Sequence, residues 1–224
     1  MRSASFSVFL INSAAVVLAL VIYQLGGRDH FGERGFITFL STFQLLAIAL
    51  IADKILQVKK RFGGTYSPPK LWLWRTLSWG FIFLAADEFL SIHEVTDLLI
   101  HDLLNLQETN LTDRIDDIIV ALYGTGGIWL LWNSRDELKW HPSAIALFKR
   151  AFILLFFMVG LDMFANEQDL LKLFFAPSTA STMQRHIEHL EDSFKVFAEA
   201  FFILAFYSIL RDSKSRAKKL APVD

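Results

Sequence analysis

The 224-residue chain contains no cysteine. Disulfides, thiolate metal sites, iron–sulfur clusters and cysteine nucleophiles are therefore all excluded. It also has almost no net charge: 22 Lys and Arg stand against 23 Asp and Glu, a formal value of -1. A nucleic-acid binder held by phosphate contacts is not expected from such a balance. Proline is scarce at 5 residues, and no linker, internal repeat or low-complexity segment divides the chain. A single domain over residues 1–224, with a short basic tail at 211–224, is the economical reading.

What the chain has in abundance is apolar surface: 54% of residues are hydrophobic and 14% aromatic, with a mean hydropathy of +0.40. A soluble domain of this size rarely reaches such values, so the composition points to a membrane protein with the lipid bilayer as its first partner. The opening "MRSASFSVFLINSAAVVLALVIYQLGG" places Arg2 before an apolar run of about 20 residues, long enough to span. It offers no clean small-x-small cleavage site, so it reads as a first transmembrane helix rather than a signal peptide. Five further stretches are long enough to cross: Gly35–Val58, Leu71–Leu99, Arg114–Asn133, Ser143–Asn166 and Met183–Leu210, after Ser5–Leu25. Between them lie the breakers "GGRDHFGERG", "RFGGTYSPPK", "WHPS" and "FFAPSTAST".

Lys and Arg cluster in alternate connections. Lys54, Lys59, Lys60, Arg61 and Lys70 occupy the second, and Arg135, Lys139, Lys149 and Arg150 the fourth. Arg211, Lys214, Arg216, Lys218 and Lys219 fill the tail. The positive-inside rule then puts both termini in the cytoplasm. The expected fold is an all-α polytopic bundle of six transmembrane helices.

This orientation turns sequence position into depth, at about 1.5 Å of rise per residue. Glu88, Asp162 and Glu199 each lie roughly 18–20 Å from the basic end of their own helix. They fall in one layer, and Asp87 belongs with it. A second layer, at roughly 25–30 Å, holds His93, Glu94, Asp116, Asp117, Glu167, Glu191 and Asp192, with His189 slightly higher. Helical phase aligns Asp87, Ser91, Glu94 and His101 on one face, with Glu88 and His93 on its flanks. Glu188, Asp192, Lys195 and Glu199 form a stripe on the last helix, from which His186 points away.

Ionisable residues in a span are costly, about 2.5–3.5 kcal/mol each on insertion scales, and tend to serve function. The bland alternative is a structural network. Lys195, with Glu191 and Glu199 one turn away on either side, would neutralise part of its own helix. The acids outnumber that one lysine, however, so some must be protonated, hydrated or bound to a cation. Carboxylates and imidazoles from several helices are the usual ingredients of a Zn, Mn or Fe site in a bundle. No HExxH or Glu-x-x-His spacing occurs. The expected first shell for a divalent metal is His93, Glu94, His189 and Asp192.

Several weaker features have ordinary readings. His101 and His30 are expected to be solvated loop side chains. Trp72, Trp74 and Trp79 resemble an interfacial belt, and the many Phe of the last two helices look lipid-facing. "GTGG" near Tyr123 would let another helix approach closely.

The segments "FLAADEFLSIHE", "VGLDMFANE" and "HLEDSFKVFAEAFFILAFYSIL" resemble a widespread set of bacterial polytopic membrane proteins of unassigned function. Asp87, Glu88, His93, Glu94, Glu167, Glu191 and Asp192 carry the likeness. Asp192 stands where that set has Glu, and Glu199 where it has a small residue. The resemblance implies a bacterial inner-membrane setting and a meaningful polar cluster, and no chemistry.

Three expectations follow. One is a metal-dependent hydrolase of a membrane substrate with Glu88 as general base. Another is a transporter or channel component in which Asp87, Glu88, Asp162 and Glu199 line a proton or cation path. The third is a non-catalytic subunit of a larger membrane assembly, and homo- or hetero-oligomers remain open.

Overall fold

The computed structural model describes residues 2–32, 35–62, 70–105, 115–165 and 175–220. Among these the regular structure is entirely helical: α1 (Arg2–Gln24), α2 (Phe36–Phe62), α3 (Leu71–Leu90), α4 (Ile92–Leu104), α5 (Ile115–Asn133), the single turn α6 (Arg135–Leu138), α7 (Pro142–Ala165) and α8 (Pro177–Leu220).

Sequence chemistry sets the boundaries. The "GG" after α1 closes it in a Schellman motif: Gly27 N–H donates to the Ile22 carbonyl at 2.9 Å and Gly26 N–H to that of Tyr23 at 3.0 Å. Gly26 sits at φ 76°, and a Cβ on Gly27 would lie 2.6 Å from the Ile22 side chain. Pro142 and Pro177 open α7 and α8 at first-turn positions, where the missing N–H has no partner to lose.

The third apolar stretch is not one helix. Ser91 adopts the left-handed conformation (φ 50°, ψ 47°), ending α3 and starting α4. The one-face alignment of Asp87, Ser91, Glu94 and His101 does not survive this break, because a helical phase cannot be carried through a left-handed residue. The last helix is longer than its apolar core. It continues through Arg211 to Leu220, so most of the expected tail is helical.

Side-chain pairs fix an up-and-down bundle. Phe9 packs on Phe201 while Tyr23 packs on His189, so α1 runs antiparallel to α8. Phe31, just before α2, stacks on His189 while Ser41 pairs with Glu199, so α2 runs with α8 and therefore against α1. Trp74 on Phe206, with Lys195 on Glu88, sets α3 antiparallel to α8. Ser143 on Ser208, with Phe157 on Phe194, does the same for α7. Phe83 on Tyr123 and Lys70 on the Asn133 carbonyl place α5 against α3. The start of α1 and the end of α8 therefore share one end of the bundle with the Lys- and Arg-rich connections. We call this the basic end.

The core around α8 is aromatic. Trp74, Phe81, Phe148, Phe202 and Phe206 are buried, with Phe152 against them. Edge-to-face contacts such as Phe81–Phe206 and Phe148–Phe206, with ring centroids 5.4 and 5.5 Å apart, add to the area buried. Trp74 is thus a core residue, not part of a belt; it donates Nε1 to Glu137 Oε1, which also pairs with Lys59. Trp72 and Trp79 are exposed. Phe156 and Phe157 face outward, whereas Phe202 and Phe206 do not. In "GTGG", only Gly127 faces a neighbour, and a Cβ there would meet Phe152 at an ordinary 3.8 Å, so these glycines permit no unusual approach.

Four helices are long and apolar enough to cross a membrane, with spans at Ser5–Gln24, Phe36–Arg61, Pro142–Asp162 and within Pro177–Lys219. The apolar part of α5, Ile118–Asn133, is shorter, and α3 carries Arg75, Asp87 and Glu88. Polarity is inverted relative to a soluble bundle. Leu10, Val17, Phe43, Leu50, Ile82, Leu122 and Phe156 face outward, while Asn12, Ser41, Gln44, Asp87, His189 and Glu199 are buried. Such a surface suits hydrocarbon, where the outside must be apolar and polar groups must find partners inside.

Candidate functional site

The buried polar groups follow one path beside α8. It starts in the α1–α2 connection, where Asp29 Oδ1 accepts the Phe31 amide at 3.0 Å and Oδ2 lies 2.8 Å from His189 Nε2. The His189 ring is held between Phe31, stacked at 4.4 Å, and Tyr23, edge-on at 4.8 Å. His186 is not turned away: its ring meets His189 edge-on at 6.3 Å. Tyr23 also accepts a hydrogen bond from Arg185 at 3.1 Å. Partial burial works against the Asp29 charge, but hydrogen bonds from His189 and the Phe31 amide outweigh it, and its carboxyl lies below the usual carboxylate range.

One turn further along α8, Asp192 Oδ1 lies 2.7 Å from Lys195 Nζ. The same ammonium lies 3.0 Å from Glu88 Oε1 on α3. Lys195 is thus held by a neighbour on α3 and by its i−3 residue. Glu191 acts on it electrostatically as well. A turn beyond Lys195 comes Glu199, which accepts a 2.7 Å hydrogen bond from Ser41 on α2. Glu88, Lys195 and Asp192 all act on Glu199 electrostatically, so these groups form one coupled row. Below Glu199, on the α1 side, Gln44 donates to Asn12 at 2.8 Å. The aromatic core then closes the bundle toward the basic end.

A second arrangement straddles the α3–α4 break. Asp87 Oδ1 accepts the His93 amide at 2.9 Å, and Oδ2 lies 2.9 Å from His93 Nδ1. The Asp87 carbonyl also accepts the Ser91 N–H. One side chain therefore caps the start of α4 and orients the imidazole through Nδ1. His93 Nε2 is 3.8 Å from Glu94 Oε1. Further along α4, His101 is buried, not solvated, and its Nδ1 lies 3.0 Å from both the carbonyl and Oδ1 of Asp97. Asp162 is half-buried near the end of α7. Glu167 lies outside the described residues, as do the side chains of Asp116 and Asp117.

The structure therefore brings Glu88, Asp192, Lys195 and Glu199 together and puts Asp87, His93 and Glu94 in a separate group. Of the four residues expected around a divalent metal, three pair elsewhere: His93 with Asp87, His189 with Asp29 and Asp192 with Lys195, while Glu94 lies 3.8 Å from His93. Among the described residues, no three His, Asp or Glu side chains are grouped so as to hold a metal ion. Asp29, Ser41 and Tyr23 were invisible as site residues from sequence. Asp29 sits in a segment read only as a helix breaker, and Ser41 has nothing in its neighbours to mark it.

Residues 29–210 match the family described as Domain of unknown function (DUF8692). The chain belongs to that family. No curated protein matches the chain, and no solved structure does. The matched segment begins at Asp29 and includes α2 through the apolar part of α8, so the row from Asp29 to Glu199 lies within it, with Asn12 contributed from outside.

Proposed function

We propose that the protein is a six-span integral protein of the bacterial inner membrane, with both termini cytoplasmic. Its buried carboxylate–lysine row carries protons or cations as part of a transporter or channel. Lys and Arg concentrated at one end of the bundle support the orientation. The resemblance to bacterial polytopic membrane proteins supports the compartment. One observation carries the functional reading: Glu88 on α3 and Asp192 on α8 both pair with the ammonium of Lys195, and Glu199, one turn further along α8, is coupled to all three electrostatically. A purely structural network would balance its charges. This one has a surplus of carboxylate that a mobile proton or cation offsets.

The row runs from Asp29 to the middle of the bundle and stops above the aromatic core. Passage to the basic end thus requires α3, α7 and α8 to shift against one another, as in alternating access. A hydrolase with a divalent Zn, Mn or Fe ion on His93, Glu94, His189 and Asp192, and Glu88 as base, has less support. His93 and His189 could keep Asp87 and Asp29 as outer partners on one ring nitrogen each, but Asp192 and Glu88 would have to leave Lys195, and the two imidazoles sit in separate groups.

The test is ion flux into proteoliposomes holding a pH-sensitive or Na+-sensitive dye, driven by an imposed membrane potential. Wild-type protein is expected to exceed empty liposomes, and Glu199→Gln to fall back to their level. Equal rates for wild type and Glu199→Gln would overturn the reading.

A further inference from the structure

The polar row ends, between α1, α2 and α8, in oxygen atoms that have no donor among the described residues. Asn12 Nδ2 donates to the Val8 carbonyl at 2.9 Å. A backbone carbonyl only accepts, so this bond fixes the Asn12 amide and turns its Oδ1 toward Gln44. Gln44 must then present Nε2 to that oxygen, at 2.8 Å, and its own Oε1 is left without a partner. One turn earlier on the same face of α2, Ser41 gives its only proton to Glu199 Oε1. Glu199 Oε2 is likewise without a partner. Both side chains are deeply buried, with Gln44 5% and Glu199 4% exposed. With Glu199 ionised, the atoms left over are all acceptors: a carboxylate oxygen, an amide oxygen and the lone pairs of a hydroxyl.

Buried acceptors of this kind call for a proton, a water or a cation, and a cation alone can meet all of them at once. The donor atoms are hard oxygens with no imidazole among them, which suits an alkali or alkaline-earth ion rather than Zn or Fe. Only one carboxylate belongs to the set, and the Lys195 ammonium lies one turn away on α8, so a single positive charge is matched where a double one is not. Asn12 lies at the middle of α1, a depth at which coupling ions sit in membrane carriers.

We propose that Glu199, Ser41 and Gln44 form a site for a monovalent alkali cation, Na+, with Asn12 orienting Gln44. The inference rests on the ion-path reading and names its ion.

Thermal unfolding of the purified full-length protein in detergent, with NaCl exchanged for choline chloride at constant ionic strength, tests it. Na+ is expected to raise the Tm saturably and choline to leave it unchanged. Ser41→Ala and Gln44→Leu are each expected to weaken the apparent Na+ affinity by about tenfold, the equivalent of one good ligand contact. Glu199→Gln is expected to abolish the Na+ effect, and if that variant does not fold, Ser41→Ala and Gln44→Leu decide the matter. Identical Tm values in Na+ and choline would overturn the Na+ site. So would a Na+ effect unchanged in both the Ser41 and Gln44 variants. If Na+ has no effect while Glu199→Gln still abolishes proton flux, the ion path stands with the proton as its ion and this site falls alone.

Discussion

At the residue scale, Lys195 is the group on which most of the buried charge depends. Its ammonium holds Glu88 on α3 and Asp192 on its own helix, and all three side chains are largely shielded from solvent. Removing one partner of a buried pair leaves an uncompensated charge, typically at a cost of about 3–5 kcal/mol. Lys195→Met is therefore expected to lower stability in detergent by about that amount, with part of it recovered in Lys195→Met/Glu88→Gln. A double variant no more stable than the single one would show that Glu88 is not the partner that matters. His141, at the basic end, behaves differently. Burial and the charges of Lys59 and Arg216 push its imidazole below the usual histidine value, against the opposing effect of Asp212 3.4 Å away. A depressed folded value means the unfolded chain binds the proton more readily. The contribution of His141 to stability is thus complete above about pH 6.5 and is lost as pH falls through the folded value. His141→Gln is expected to flatten the fall in Tm between neutral and mildly acidic pH.

At the element scale, the break at Ser91 decides how the third apolar stretch works. A left-handed serine is unfavourable by about 1 kcal/mol, and Asp87 offsets it by binding the backbone and ring of His93. Ser91→Gly is expected to be neutral or mildly stabilising. Asp87→Ala, which removes a cap worth about 1 kcal/mol, is expected to lose hydrogen-exchange protection across α4 while α3 keeps its own. Equal loss in both helices would mean that they form one cooperative unit.

The elements themselves were largely legible, because runs of twenty apolar residues bounded by "GG", Pro and basic clusters admit few other readings. The break was not. Ser91 carries no glycine or proline signal, and the interaction that stabilises the turn joins Asp87 to His93 across it. The site was legible in part. Glu88, Asp192, Lys195 and Glu199 stand out as charges in an apolar run, but their partners Ser41 and Asp29 become visible only when α2 and the α1–α2 connection pack on α8. The expected grouping of His93 with His189 rested on depth counted along one unbroken third helix, which the Ser91 break interrupts, while Asp29 and Asp87 take up the two imidazoles.

At the scale of the whole molecule, the antiparallel course of α1, α2, α3, α5, α7 and α8 places all strongly basic connections at one end. The absence of cysteine makes the topology directly testable. Single cysteines at Ser178 and Ser215 lie at opposite ends of α8. In intact cells an impermeant maleimide is expected to label Ser178→Cys, and to label Ser215→Cys only after permeabilisation. The reverse pattern would invert the orientation. The same architecture sets the functional claim: a charged row enters the apolar bundle from the end opposite the basic one, couples through Lys195, and stops at Glu199 above an aromatic core.

The most direct test of that claim needs no knowledge of a transported substrate. Proteoliposomes adsorbed on a solid-supported membrane report charge displacement within the protein when the Na+ or proton concentration is suddenly raised. Wild-type protein is predicted to give a saturable transient current that Glu199→Gln abolishes and the surface variant Ser178→Ala leaves intact. No current in the wild type, or an unchanged current in Glu199→Gln, would contradict the account.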